Sequence, residues 1–243
     1  MDRNRRIGDT VKIDGGYQYR AILEGNAVQR YWHTSKLRAI NTLLPPSKED
    51  VILDVGCGSG VVSNYLAKSG AMVCGVDGNI DAINFANSTF KLENLRFLHG
   101  LVDELNFTEA SISKIYCLEL VEHLYLHQVE ELIQSFFRIL KPGGQLFLTT
   151  PNYRSLWPII EWVMDNLKLA PQLQNDQHVT KFNKQSLDKV CLEGGFKVEK
   201  QGTICTYAPW VAPFSWNLAE RLNNWEIAHN LSYGNILVSV YTK

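Results

Sequence analysis

Val51-Ile52-Leu53-Asp54-Val55-Gly56-Cys57-Gly58-Ser59-Gly60 is a short apolar run that ends in alternating glycines. Val61, Val62, Tyr65, Leu66 and Ala67 then recur at helical spacing. The pattern predicts strand, glycine turn, helix. Glycines at such a turn let a ligand approach the backbone where a side chain would block it.

The unit repeats along the chain. Ala71 to Val76 is a second apolar run, closed by Asp77-Gly78-Asn79 and followed by a helix-like stretch through Ile83, Phe85 and Ala86. Leu95 to Leu98 and Ile112 to Leu118 read as the third and fourth strands. The fourth leads into a helix with apolar positions Leu126, Val129, Leu132, Ile133, Phe136, Phe137 and Leu140. Lys141-Pro142-Gly143-Gly144 stops that helix, because proline cannot continue it and glycine permits the reversal. Gln145 to Thr150, Phe196 to Lys200 and Ile236 to Tyr241 complete seven strands, with a further helix over Ser186 to Leu192. Strands alternating with helices predict an α/β fold: a mostly parallel sheet covered on both faces, with ligands at the carboxyl ends of its strands.

Two kinds of segment interrupt the alternation. Residues 1–45 form an N-terminal cap carrying Tyr17, Tyr19, Arg30, Tyr31, Trp32, His33 and Lys36. Residues 46–243 form the ligand-binding domain, with lid insertions at about 151–182 (Trp157, Ile160, Trp162, Met164) and 207–233 (Trp210, Phe214, Trp216, Trp225). Ordinary peripheral packing is the alternative for both.

A chain of 243 residues fits one large domain, and 45% hydrophobic with 20% charged residues excludes a disordered or collagenous chain. The 24 basic and 25 acidic residues leave a net charge of −1, with no general field to attract nucleic acid. Arg3, Arg5 and Arg6 are not followed by the apolar stretch of a signal peptide, and no run reaches the ~18 apolar residues of a membrane span. Cys57, Cys74, Cys117, Cys191 and Cys205 contain no C-x-x-C pair and read as reduced core thiols of a cytoplasmic protein.

Counting from Gly56, a dinucleotide G-x-G-x-x-G would put its third glycine at position 61, which is Val61, so a nicotinamide oxidoreductase is disfavoured. Asp77 stands 23 residues after Asp54 at the end of the second strand, where a carboxylate can accept both hydroxyls of a ribose. Its bland alternative is a turn residue or helix cap before Gly78.

Together, Val51 to Gly60, Asp77 and Cys117-Leu-Glu-Leu-Val-Glu-His123 resemble the class I S-adenosylmethionine-dependent methyltransferases over roughly residues 30 to 200. Cys117 to His123 is particularly similar to the ubiquinone-biosynthesis O-methyltransferases of the methyltransferase type 11/12 group. The resemblance implies a Rossmann-like seven-stranded sheet, S-adenosyl-L-methionine as cofactor and S-adenosyl-L-homocysteine as product. It assigns the loop from Asp54 through Gly56, Cys57, Gly58 and Gly60 to the methionine and ribose moieties, and Asp77 with Gly78 to the ribose side. Asn79 and Ile80 would lie along the adenine, Val102 would offer its backbone amide to the ring, and Leu118 would line the sulfonium side. Lys36 or Arg38 would pair with the methionine carboxylate. Two positions depart from the family pattern: Leu101 and Ser113 stand where many members carry acidic residues.

Methyl transfer to a hydroxyl requires in-line alignment, exclusion of water and removal of a proton by a base or through a metal. Glu119, Glu122 and His123 fall at i, i+3 and i+4, so a helix after the fourth strand would converge them as ligands for Mg²⁺ or a related ion. Alternatively, Glu122 and His123 act as base or acceptor-positioning groups, or merely shape the pocket. Trp32 and His33 in the cap and His178 in the first insertion are the acceptor-pocket candidates, with His178 a further metal-ligand candidate. The tryptophans favour a phenol, quinone precursor or lipid-linked sugar as partner. They also suit a peripheral membrane contact or a dimer surface. The alternatives are a non-catalytic cofactor-binding sensor or scaffold, and an RNA 2′-hydroxyl acceptor, which the balanced charge disfavours.

Overall fold

In the computed structural model the described residues are 14–166, 178–229 and 231–243; Arg3, Arg5 and Arg6 fall outside them, as does 167–177 of the first insertion. Helices α1 (Tyr17–Glu24) and α2 (Ala27–Leu43) precede strand β1 (Val51–Val55), the glycine loop and helix α3 (Val61–Ala67). Strand β2 (Met72–Asp77), helix α4 (Ile80–Thr89), strand β3 (Leu95–His99) and strand β4 (Ile112–Leu118) follow. A short 3₁₀ turn (Val121–His123) leads to helix α5 (Leu126–Ile139) and strand β5 (Leu140–Pro151). The remainder is α6 (Trp157–Asn166), α7 (Lys184–Glu193), β6 (Lys197–Ile204), α8 (Ala208–Val211), α9 (Trp216–Ala228) and β7 (Ile236–Thr242).

The seven strands form one sheet in the order β3-β2-β1-β4-β5-β7-β6. Strands β1 to β5 pair in parallel, and β7 runs antiparallel between β5 and β6. From β1 the chain winds outward to β3, then returns to β4 on the other side of β1. That reversal opens a crevice at the carboxyl ends of β1 and β4.

Strand residues alternate between two apolar layers, as the period of two requires. Leu53, Val55, Ile115, Cys117, Leu146 and Leu148 pack with Val129, Ile133 and Phe136 of α5 and Leu187 of α7. Ile52, Tyr116, Phe147 and Val240 pack on the opposite face with Ala39 and Ile40 of α2 and Leu66 of α3. All five cysteines are free and buried.

Two strand boundaries differ from expectation by four residues or more. Strand β5 starts at Leu140 rather than Gln145, because the Lys141–Gly144 segment is taken up in a register break opposite Ile112 and Lys114, where Pro142 needs no ladder donor. Strand β6 extends to Ile204 because β7 supplies antiparallel partners for Gly202, Thr203 and Ile204. Among the described residues, no helix is long and apolar enough to cross a membrane.

Candidate active site

A cavity of about 790 Å³ lies at the crevice, and its wall runs from the glycine loop and the end of β2 to the segment after β4. Helices α1, α2 and α6 contribute Tyr17, Lys36 and Trp157 to the wall, and α5, α8 and the segment before α7 add Glu131, Trp210 and His178.

At one end, the Gly56 and Cys57 N–H groups donate to the Val76 carbonyl, tying the loop to β2. Gly58 N–H donates to Asp77 Oδ2 and Asn79 N–H to Oδ1, each at 2.8 Å. The Asp77 carboxyl is thus fixed on the wall with acceptor capacity remaining on both oxygens. Burial pushes its pKa up, outweighing those two hydrogen bonds. Gly58 has φ +50°, a left-handed backbone that favours glycine, and a Cβ there would come within 3.0 Å of Gln18 Oε1 from α1. Ser59 Oγ is buried on the same wall with no hydrogen-bond partner among the described residues. A buried hydroxyl in that state accommodates a polar ligand group. The glycine loop on the wall, the anchored carboxylate and this hydroxyl fit an S-adenosylmethionine molecule.

Gly56, Gly78, Asn79 and Val102 also stand on the wall, with Asn79 capping α4 through its side chain. Leu101 is there too, and Asp103, two residues on, brings to the wall the acidic group that Leu101 lacks. Ser113 has a structural role: its hydroxyl accepts from Val51 N–H at 2.9 Å and lies 3.1 Å from Asp50 Oδ1, joining β4 to the start of β1.

Six expected cofactor residues lie off the wall. Asp54 is buried behind the loop, where its Oδ2 accepts from Ser63 Oγ of α3 at 2.5 Å and burial pushes its pKa up to about 7. Cys57 packs in a small core with Ile83, Ala86 and Phe97. Gly60 faces Phe97 and Ala86 rather than the cavity. Ile80 projects outward from the first position of α4, 47% exposed. Leu118 is absorbed into the core on the α2 side. Arg38 points away, pairing with Glu220 of α9 and stacking on Tyr31 and Trp216. Lys36, one half-turn earlier, reaches the wall instead.

At the other end the expected trio is rearranged. No α-helix follows β4 directly, so Glu119 does not converge with Glu122 and His123. It sits at φ +51°, a strained backbone for a residue with a side chain. There its carboxylate meets Lys36 Nζ at 3.4 Å and accepts from Thr149 Oγ1 at 3.0 Å. Glu122, His123 and His178 come together instead, one potential ligand atom from each lying within 4.8 Å of the others. Glu122 is buried and accepts from Thr150 Oγ1 at 2.9 Å; burial, reinforced by Glu119, pushes its pKa up to about 8.

His178 Nδ1 lies 2.6 Å from Glu161 Oε1, and Tyr153 Oη donates to the same oxygen at 2.9 Å. Burial opposes charge on His178, yet the Glu161 bond and the nearby carboxylates raise its pKa; Glu161 is held low by His178 and Tyr153 against its own burial. Trp157 of α6 lies against Trp32 of α2, ring centroids 5.2 Å apart, and against His178 at 6.2 Å. His33 shares the wall, with its pKa lowered to about 3 by burial and by Lys36, so it is neutral. Of the two tyrosines in α1, Tyr17 reaches the cavity while Tyr19 packs on Phe85 and Phe90.

Sequence reasoning missed Ser59, Asp103, Tyr153 and Glu161. Ser59 lies inside the glycine loop, and only its missing partner marks it. Glu161 and His178 are 17 residues apart with no periodicity linking them.

A family model described as a methyltransferase domain matches residues 28–201. The mitochondrial ubiquinone biosynthesis O-methyltransferase of Rattus norvegicus is 29% identical over 180 residues, 71% of this chain and 51% of that protein. The ubiquinone biosynthesis O-methyltransferase of Coxiella burnetii is 37% identical over 103 residues, 42% of this chain and 43% of the other. The chain thus spans about half the length of these relatives. Among solved structures, the methyltransferase in complex with the Trm112 methyltransferase activator of Haloferax volcanii superposes with a TM-score of 0.63 at 19% identity, covering 93% of this chain and 96% of that one. With its seven-stranded sheet, its glycine loop and Asp77 at the crevice, this chain belongs to the methyltransferase-domain family and has the class I S-adenosylmethionine-dependent methyltransferase fold.

Proposed function

We propose that this chain transfers a methyl group from S-adenosylmethionine to a hydroxyl oxygen of a small aromatic, quinone-like or lipid- or sugar-linked acceptor. The observation that carries this reading is that one cavity runs from Gly58 and Asp77 to Glu122, His123 and His178. The O-methyltransferase names of the relatives support oxygen as the acceptor atom.

S-adenosylmethionine, when bound, supplies a methyl on a positively charged sulfur as the electrophile. Asp77 accepts the ribose hydroxyls, Ser59 Oγ meets the polar end of the molecule, and Lys36 attracts its carboxylate. Trp32 and Trp157 cover the acceptor and keep water out, which leaves alignment of the oxygen as the main demand on the protein. Glu122 takes the hydroxyl proton, and His123 orients the oxygen that loses it.

A second reading rests on the clustering of Glu122, His123 and His178. Two imidazoles and a carboxylate suit a first-row transition ion better than Mg²⁺, which prefers an all-oxygen shell. Such an ion, held by these three residues, would lower the pKa of the acceptor hydroxyl.

Asp14, Asp103 and Glu131 also stand on the cavity wall, and their negative charge supports a small acceptor over a phosphodiester. Exposed Ile159, Trp162 and Phe214, with half-exposed Trp210 on the wall, support contact with a membrane that carries an apolar acceptor. Flotation with lipid vesicles tests this, and recovery in the soluble fraction alone excludes it.

The deciding experiment is a calorimetric titration with S-adenosylmethionine and with S-adenosylhomocysteine, in Mn²⁺, in Mg²⁺ and in chelator, followed by an acceptor screen with methyl-labelled cofactor. Micromolar binding and transferred label are expected. Absence of binding to either molecule overturns the proposal, and binding without label on any acceptor class favours the sensor or scaffold.

A further inference from the structure

We propose that Glu161, on the helix that walls the acceptor end of the cavity, is the positioning residue of the site: it accepts the Nδ1–H of His178 and thereby presents Nε2 to the acceptor end. This inference rests on the methyltransferase reading for its purpose, but not for its geometry.

Three polar groups meet at one buried point. His178 Nδ1 is 2.6 Å and Tyr153 Oη 2.9 Å from the same Glu161 oxygen, and the two donors are 3.0 Å from each other. The His178 and Glu161 side chains are 5% and 4% exposed. A neutral imidazole carries one proton, and in water it favours the Nε2–H form slightly. A carboxylate at Nδ1 reverses that choice, since it can only accept. The remaining nitrogen, Nε2, then has a bare lone pair, able to accept a hydrogen bond at the acceptor end or to bind an ion beside Glu122 and His123. A carboxylate behind a histidine is also the arrangement that fixes ring orientation at metal and proton-transfer sites.

The rest of the setting matches that purpose. His178 is on the cavity wall and its ring lies 5.0 Å from that of His123. Tyr153, two residues beyond the end of β5, holds Glu161 by its second contact, so the carboxylate is anchored from the sheet as well as by its own helix. Trp157 and Ile160, which precede Glu161 on α6, contribute to the acceptor end of the wall. The same helix therefore shapes the acceptor's surroundings and sets the tautomer of the ring that meets it.

The test is ¹⁵N-histidine NMR at about pH 9, above the ordinary imidazole range, on wild type, Glu161→Met and Glu161→Gln, with S-adenosylhomocysteine calorimetry on all three. Glu161→Met keeps the chain length and removes the acceptor; Glu161→Gln keeps an acceptor without the charge. Wild type and Glu161→Gln are expected to carry the His178 proton on Nδ1, and Glu161→Met on Nε2. The wild-type Nδ1 proton is also expected strongly downfield, moving upfield in Glu161→Gln, a readout that stands if Glu161→Met does not fold. A wild-type ring protonated on Nε2, or an Nδ1 form that persists in Glu161→Met, overturns the proposal. Affinity for S-adenosylhomocysteine is expected to change less than about twofold across the three, because Gly58, Ser59 and Asp77 are intact; loss of affinity in Glu161→Gln would instead make Glu161 part of the general scaffold. Failure of wild type to bind S-adenosylhomocysteine would strike the methyltransferase reading and leave the tautomer result standing.

Discussion

Asp77 and Asp54 show how two carboxylates at the ends of neighbouring strands take different work. Asp77 is anchored by two backbone N–H groups on the cavity wall, whereas Asp54 is enclosed behind the loop with Ser63. Asp77→Ala should weaken S-adenosylmethionine binding by one to two powers of ten, from loss of about 1.5–3 kcal/mol of charge-assisted bonding. Unchanged affinity in calorimetry removes Asp77 from the ribose. Asp54, with a folded pKa raised to about 7 by burial, acts through proton linkage. Below about pH 4 both folded and unfolded chains hold this proton. Between about pH 4 and pH 7 the folded chain keeps it while the unfolded chain has lost it, so rising pH removes stability; above that range the deficit is constant. Asp54→Asn lacks the titration but retains an acceptor for Ser63. Urea midpoints at pH 4.5 and 7.5 should therefore show the variant gaining on wild type with rising pH, and parallel midpoints would exclude the linkage.

At the scale of elements, the turn between β1 and α3 has to reverse the chain while staying thin. Gly60 closes it at φ +79°, where a Cβ would lie 2.7 Å from Phe97 Cζ and 2.9 Å from the Ala86 Cβ. Gly60→Ala adds about 1–2 kcal/mol of backbone strain and about 1–3 kcal/mol of overpacking. The melting temperature should fall by roughly 5–15 °C in calorimetry; a fall under about 2 °C would mean that α3 and α4 shift freely. The turn was legible because alternate glycines directly after an apolar run permit left-handed backbone and close approach at the same point, which neither a strand nor a helix needs. The segment after β4 was not: Glu119, Glu122 and His123 have helical spacing, yet the chain makes only a 3₁₀ turn and leaves Glu119 to Lys36 and Thr149. Spacing predicts convergence only if the backbone supplies the period.

For the whole molecule, the cavity joins the sheet's crevice to the two N-terminal helices and to α6, elements more than 100 residues apart in the chain. A cofactor bound there bridges α1 and α2 to the sheet in the folded state alone. S-adenosylhomocysteine at about 100 times its dissociation constant should stabilise the protein by about 2.7 kcal/mol, raising the melting temperature by roughly 5–10 °C. Circular dichroism melts would check this, and a shift that stays at zero while calorimetry shows binding would mean that the ligand also binds the unfolded chain. The sheet's order was partly legible. Alternation of strands and helices implied the parallel half, but the insertion of β7 between β5 and β6 depends on a hairpin-like return that no short-range pattern encodes.

By itself, the amino-acid sequence determined the strand-loop-helix at residues 51–67, the carboxylate ending β2, the burial of all five cysteines and the α/β class, because each follows from local pattern and backbone permission. Only the tertiary structure decided that Lys36 and not Arg38 reaches the cavity, that Glu119 leaves the trio and His178 joins it, and that Glu161 stands behind His178. Those outcomes depend on which side chains the packed helices bring within about 3 Å of one another, a property of long-range contact that residue spacing does not carry.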